Sequence, residues 1–115
     1  MQISTTKMDL IALLKVFDVN FATEDDFAAV TGLDPNRSHD LAEAATKLLK
    51  PEFDFMSSVN QGQLAGQLRF CLQDASENFD DLFSEIELIF EQEVSDHRYF
   101  MKTLLESIEG WASCN

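Results

Sequence analysis

The sequence predicts an all-α fold: one domain, residues 1–115, built as a bundle of five to six short helices with mixed antiparallel and orthogonal packing. Two observations carry this prediction. Apolar residues recur at three- and four-residue steps along most of the chain, which is the spacing of one face of an α-helix. The composition, 45% hydrophobic and 25% charged residues in a chain of 115, is typical of a single folded globule.

Capping and breaking residues place the ends of the predicted helices. Thr23 and Asp26 have the spacing of a capping box, which satisfies free N–H groups at a helix start. Ser57 or Ser58 is expected to cap a later helix, and Pro51 to end the one before it. The predicted helices are residues 6–17, 23–32, 36–49, 57–75 and 76–94, after which Ser95–Asp96 either breaks the chain or caps a sixth helix closed by Gly110 and Asn115.

Two local features of this bundle are less regular. Residues 52–56 alternate between polar and apolar side chains, and we expect a loop that places Phe53 and Phe55 in the core, with an edge strand as the alternative. Gly62 and Gly66 lie four residues apart inside a predicted helix, where each Gly costs about 1 kcal/mol relative to Ala. Their spacing favours the close approach of a neighbouring helix.

The charge balance of the chain is strongly acidic. Twenty-one Asp and Glu residues face eight Lys and Arg residues, which gives a formal net charge of −13. Such a surface repels nucleic acids and anionic membranes and attracts basic partners, although an acidic surface can also serve solubility alone. The N-terminus lacks the pattern of a signal peptide and no run of eighteen apolar residues occurs, so we expect a soluble, cytoplasmic protein without membrane contact.

Residues 74–96 concentrate this charge, with nine carboxylates and no Lys or Arg. Apolar residues follow one helical stripe through the same stretch, and Ser76 stands where an N-cap is expected. The pattern therefore predicts a polyanionic amphipathic helix as the organising element of the fold. Six carboxylates over about 21 Å of such a helix would stand about 3.5 Å apart, close to the phosphate spacing of about 3.4 Å along one DNA strand.

The acidic face of this predicted helix is the candidate binding site. Like charges four residues apart destabilise a helix by about 0.2–0.5 kcal/mol per pair, so a helix with structural duties alone more often interleaves lysines. Leu88 is predicted to point outward among the acids as an apolar anchor. The alternative is a solvated acidic face in which a neighbouring helix covers Leu88. The candidate partner-binding residues are Glu77, Asp80, Asp81, Glu85, Glu87, Leu88 and Glu91.

The sequence contains few residues in patterns typical of a catalytic or metal site. His39 and His97 stand in no triad or metal motif, and Glu93 with His97 is short of the ligands that a metal site needs. Cys71 falls on an apolar helix face without a basic neighbour, and we expect no disulfide between it and Cys114. We therefore expect a protein that is not an enzyme and that holds no cofactor or metal.

Residues 24–49 resemble a helix-turn-helix, with the motif in residues 24–41. Ala28, Gly32 and Leu41 match the small residue, the turn glycine and the apolar anchor of that family, over less than a quarter of the chain. The resemblance implies that Asn36, Arg37 and His39 would head a recognition helix. Acidic residues surround these positions, which opposes the phosphate contacts that DNA binding needs.

The function predicted from these patterns is protein binding. The leading hypothesis is an inhibitor or antidote whose anionic helix occupies a basic, nucleic-acid-handling surface of a partner protein, without binding nucleic acid itself. The alternative is a helical adaptor or secretion-type chaperone that binds through apolar contacts. A degenerate helix-turn-helix regulator is a weaker third hypothesis.

Overall fold

The computed structural model describes the backbone of residues 5–113 and the side chains of residues 10–112. Most of residues 5–113 are helical and none of them forms a strand, so the all-α prediction is confirmed, with one or two α-helices more than expected. The α-helices are α1 (Thr5–Leu14), α2 (Glu24–Val30), α3 (Ser38–Leu48), α4 (Lys50–Phe55), α5 (Ser58–Gln73), α6 (Asp80–Phe83) and α7 (His97–Ser113), and a 3₁₀ helix (Lys15–Phe17) extends α1.

Side-chain caps begin two of the helices as predicted. At the start of α2, the Asp26 N–H donates to the Thr23 hydroxyl at 3.2 Å and the Thr23 N–H donates to the Asp26 carboxylate at 3.0 Å. At the start of α5, the Asn60 N–H donates to the Ser57 hydroxyl at 3.1 Å. These bonds confirm both predicted caps. Each gives a hydrogen-bond partner to an N–H that has none within its own helix.

Pro51 begins a helix rather than ending one. Leu49 keeps a helical conformation between α3 and α4, and Pro51 lies in the first turn of α4, where its missing N–H is not required. The loop predicted for residues 52–56 is therefore wrong over its first four residues. The helix buries Phe53, which is 1% exposed, and turns Phe55 outward to 91% exposure, so only one of the two reaches the core.

One hydrophobic core joins the helices. α7 packs against α3 and α5, and α5 also packs against α1. The largest side chains that are fully buried in this core are Phe17, Phe53, Phe79, Phe100, Leu10, Leu14, Leu41, Leu49, Leu68, Leu82, Met101 and Leu104. Gly62 and Gly66 are not among the packing contacts, because a methyl group at either position would meet no atom within 4 Å. The predicted close approach of a neighbouring helix at these glycines is wrong.

The predicted acidic helix over residues 76–94 is also wrong. Only α6 is helical in this stretch, and it is four residues long. The rest of residues 74–96 is irregular chain that runs between α5 and α7. The apolar residues of the stripe nevertheless reach the core without a continuous helix, among them Phe79, Leu82, Ile89 and Phe90.

Candidate protein-binding surface

Short side chains fold the start of the acidic segment, residues 74–96, into turns. The Asp74 carboxylate accepts the Ser76 N–H at 3.0 Å and the Ser76 hydroxyl at 2.6 Å, and the Asn78 side chain accepts the Asp80 N–H at 3.0 Å. The two bonds from Ser76 lower the pKa of Asp74. Such bonds compete with a helix for the backbone, so Ser76 is part of a turn and the predicted N-cap is wrong.

Arg98 holds these turns against α7. Its guanidinium donates to three backbone carbonyls, those of Leu72 at 2.8 Å, Asp74 at 2.8 Å and Glu77 at 2.7 Å. The planar fork of Arg allows one side chain to reach three acceptors at once. Arg98 thereby satisfies a carbonyl at the end of α5 and fixes the path by which the chain leaves that helix.

The middle of the acidic segment is fixed by backbone pairing with the end of the 3₁₀ helix. Asp18 and Leu88 form an isolated antiparallel bridge. The Val19 N–H donates to the Glu87 carbonyl at 2.9 Å, and the Ile89 N–H donates to the Phe17 carbonyl at 2.8 Å. This pairing places Ile89 in the core, while Leu88 is half-buried and Glu87 is exposed.

Aromatic rings on α7 pack against the same segment. Phe100, on α7, makes edge contacts with the rings of Phe17, Phe83 and Phe90 at centroid distances of 5.9, 5.3 and 6.4 Å. The His97 ring stacks on Phe83 at 4.0 Å, and its Nδ1 lies 2.6 Å from the Asp80 carboxylate. Edge-to-face pairs of this kind stabilise by about 0.5–1.5 kcal/mol beyond the area that they bury.

Asn36 ties the end of the acidic segment to the connection between α2 and α3. Its side-chain amide donates to the Glu93 carbonyl at 2.9 Å, and its side-chain oxygen accepts the Ser95 N–H at 2.8 Å. The same oxygen accepts the Ser95 hydroxyl at 3.1 Å. Because Asn36 has both a donor and an acceptor, one side chain bonds two residues of a segment almost sixty residues away.

We expect Asn36→Ala to release residues 93–95 while the helices remain folded. Loss of the bonds to Glu93 and Ser95 should lower the free energy of unfolding by about 1–2 kcal/mol. In hydrogen exchange, the Ser95 amide of the variant should exchange faster than that of the parent, while amides in α5 should exchange at the same rate in both proteins. Asn36→Asp should be destabilised as well, since it keeps the acceptor for Ser95 but places a carboxylate where the amide donates to Glu93 and Asp34. Unchanged exchange at Ser95 in Asn36→Ala would contradict this assignment.

The seven predicted site residues do not form one helical face. Three of them make local bonds: the Glu77 carboxylate accepts the Phe79 N–H at 3.0 Å, Asp80 contacts His97, and the Asp81 carboxylate accepts the Leu82 N–H at 2.9 Å. Glu85, Glu87 and Glu91 are exposed, and Leu88 is half-buried against the core. The regular charge spacing expected from a helix is therefore wrong, and Leu88 is not the outward anchor of a helical face.

The structure instead forms a cleft that the sequence did not predict. It has a volume of about 480 Å³, and its lining combines apolar and acidic side chains. The lining residues are Phe83, Ile86, Glu87, Leu88, Phe90, Glu91, Gln92, Glu93, Val94 and His97. Glu93 is the acidic residue that the sequence pattern missed as a site candidate, although it belongs to the same lysine-free run.

The acidic residues of the whole chain are unevenly distributed. Residues 24–40 and 74–96 hold fourteen of the 21 carboxylates and only one of the eight Lys and Arg residues, Arg37. The rest of the chain has seven acidic and seven basic residues. Asn36 joins the two acidic segments directly, so the fold adds the acids of residues 34–40 to those of the cleft. We call residues 34–40 and 74–96 together the acidic surface.

A second opening lies among the electrically neutral elements. This apolar groove has a volume of about 500 Å³ and is lined by residues of α1, the 3₁₀ helix, α4 and the connecting chain, namely Ala12, Leu13, Lys15, Val16, Phe21, Leu49, Glu52, Phe55 and Met56. Phe21 and Phe55 are 63% and 91% exposed at its edge. Large aromatic side chains with such exposure on one groove are typical of a protein-binding surface.

The geometry of α2 and α3 differs from that implied by the resemblance to a helix-turn-helix. Residues 31–37 connect the two helices, about twice the three or four residues of that motif. Ala28 is exposed where the motif has an inward small residue, while Leu41 is buried as expected. Asn36, which would head a recognition helix, has its side chain bonded to Glu93 and Ser95, and Arg37 and His39 are exposed.

No protein-family model, curated protein sequence or solved structure matches this chain. Among the residues that the structure describes, none of the helices combines the length and apolar character needed to cross a bilayer. In the same part of the chain, no three His, Cys, Asp or Glu side chains are grouped as metal ligands. Cys71 is buried, and the predicted absence of a bond to Cys114 concerns a residue outside the described part.

Proposed function

We propose that this protein binds a basic partner protein through its acidic surface, with the cleft beside Glu87, Glu91 and Glu93 as the centre of contact. The observation that carries the proposal is the segregation of charge: fourteen of 21 carboxylates lie in two segments that hold one Arg and no Lys. A charge field of a single sign steers a partner of opposite charge and raises its association rate.

The cleft adds a defined shape to the charge of the acidic surface. Its lining includes Phe83, Phe90 and Val94 together with carboxylate side chains. A Lys or Arg side chain fits such a site, because its aliphatic stem can lie on apolar surface while its charged end meets a carboxylate. An apolar centre with a charged rim is the common arrangement of protein interfaces.

The basic partner that we propose is a protein that handles nucleic acid, and the role is inhibition. Surfaces that bind DNA or RNA are rich in Lys and Arg, and a protein of net charge −13 that covers such a surface competes directly with the phosphates. Competition does not require carboxylates spaced like phosphates along a helix. It requires only that the acidic surface and the nucleic acid cannot be bound at the same time.

A capture experiment with matched variants tests the proposal. The protein is immobilised and exposed to nuclease-treated lysate of its native host, and the retained proteins are identified by mass. We expect a basic protein that is released by rising salt, since screening shortens the reach of exposed charges from about 8 Å at 0.15 M to about 3 Å at 1 M. Addition of DNA or RNA should also displace it.

We expect the double variant Glu87→Lys and Glu91→Lys to bind the captured protein at least about tenfold more weakly, because two contacts become repulsive. Both side chains are exposed, so the fold should be retained. Glu106→Lys, at an exposed position of α7, is the control for a change of charge outside the acidic surface. Capture of no basic protein, or equal affinity of the double variant and the parent, would refute the proposal.

A further inference from the structure

The apolar groove between α1 and α4 is not explained by binding through the acidic surface. None of the carboxylates of residues 74–96 lines it, and its one acidic residue, Glu52, is matched by one basic residue, Lys15. The described side chains around it are also balanced: residues 10–17 and 50–55 together carry two basic and two acidic side chains. A partner for this groove is therefore selected by apolar contact rather than by net charge.

The groove and a side chain suited to fill it lie on the same face. Phe55 projects from the end of α4 with 91% of its surface exposed, directly at the edge of an apolar groove of about 500 Å³. Val16, Leu49 and Met56 form part of the groove wall. A Phe side chain is among the largest apolar groups that an interface can bury, with about 150–250 Å² of surface.

A surface that carries both a projecting group and a groove is complementary to itself. In a two-fold symmetric dimer, each residue i of one copy meets residue j of the other, and j meets i in return. Phe55 of each copy can then enter the groove of the other. The rim obeys the same rule, because Lys15 and Glu52 have opposite charges and can meet across the axis.

We propose that a second copy of this chain occupies the groove, and that the protein forms a two-fold dimer through α1 and α4. Dimer contact at a neutral face lets two chains of net charge −13 associate without bringing their acidic segments into the interface. The Lys15 ammonium already lies 5.6 Å from the centre of the Phe21 ring, which holds this cation at the rim of the groove.

Sedimentation velocity of the full chain tests the dimer. The parent should show a species of twice the 13.0 kDa chain mass that increases from micromolar to near-millimolar concentration. Salt should strengthen it, because screening reduces repulsion between two acidic chains while apolar contact persists. Binding of a basic protein to the acidic surface should weaken with salt, so the two proposals are tested by opposite responses.

Substitutions in the groove test whether this face forms the dimer interface. Phe55→Asp should raise the dimer dissociation constant at least about tenfold, as expected for a central aromatic side chain. Phe70→Asp adds the same charge at a Phe that is 66% exposed outside the groove, and it should dimerise like the parent. Lys15→Glu should weaken the dimer, and its combination with Glu52→Lys should restore it, which is expected only of a partner with the same sequence.

A chain that stays monomeric at the highest concentration and salt would overturn the proposal, as would a dimer unaffected by Phe55→Asp. The proposal is equally overturned if the parent is monomeric and an apolar peptide from another protein occupies the groove. In that case the groove would serve the adaptor role. A dimer restored by the Lys15 and Glu52 exchange supports a second copy as the occupant.

Discussion

Phe100→Ala should lower the free energy of unfolding by about 3–5 kcal/mol, the usual loss when a buried Phe is truncated to Ala. Phe100 is fully buried on α7, and its ring is in contact with three others, those of Phe17, Phe83 and Phe90. Since domains of this size are stable by about 5–15 kcal/mol, one substitution removes a large fraction of the total. Urea unfolding followed by circular dichroism measures the change.

Phe70→Ala is the control for this prediction, because it removes the same ring from a position that is 66% exposed. Its effect should stay within about 0.5 kcal/mol. The loss in Phe100→Ala should extend to the acidic surface, since Phe83 and Phe90 belong to the cleft. Equal unfolding midpoints for the two variants would show that the ring cluster does not hold the fold in the way described.

Arg98→Ala should lower the free energy of unfolding by about 2–4 kcal/mol, because charge-assisted hydrogen bonds contribute about 1.5–3 kcal/mol and three carbonyls lose their donor together. The carbonyls belong to Leu72, Asp74 and Glu77. Hydrogen exchange should localise the effect to the last turn of α5 and the turns that follow. Arg98→Lys should recover only part of the loss, since a single ammonium has no planar fork.

Arg37→Ala is the matched control for Arg98. The Arg37 side chain is 77% exposed and its nearest carboxylate, that of Asp34, is 3.9 Å away, so its removal should change stability by less than about 1 kcal/mol. If Arg98→Ala were no more harmful than Arg37→Ala, water would be satisfying the three carbonyls. The acidic segment would then be held by its aromatic and backbone contacts alone.

Helix starts were the best-predicted part of the fold. Thr23 and Ser57 bond N–H groups of their own first turns, so their effect depends on a few adjacent residues and can be read from spacing. Pro51 shows the limit of the same reasoning. A proline is tolerated in a first turn as well as beyond a last one, and the choice at Pro51 depends on how Phe53 reaches the core.

The acidic helix was predicted wrongly because two structures can bury the same apolar residues. One is a continuous helix, and the other is the irregular chain that the structure has. Phe79, Leu82 and Phe90 are buried as the helical stripe required, yet Phe79 has φ +63° in the left-handed region, which ends any continuous helix there. Two features of the sequence indicated against a helix. Asp74 and Asn78 have side chains that form turns, and the like-charge pairs weaken a helix.

The cleft depended on contacts that no local pattern contains. Val19 meets Glu87, and Asn36 meets Glu93 and Ser95, across long stretches of sequence. Nothing in the residues around position 19 or 36 specifies such a partner. The predicted charge of the surface survives this change because it depends only on composition. Its shape does not, because shape depends on which distant segments meet.

The long-range bonds of Asn36 also determine when the acidic surface exists during folding. They span 57 and 59 residues, and contacts of high sequence separation form only after the entropy of closing a long loop has been overcome. On a ribosome, α1 to α3 emerge well before residue 93, so the nascent chain has no assembled cleft. The acidic surface therefore assembles late, with the docking of α7, and a prematurely terminated chain that lacks α7 should carry the acidic residues without the surface that they form.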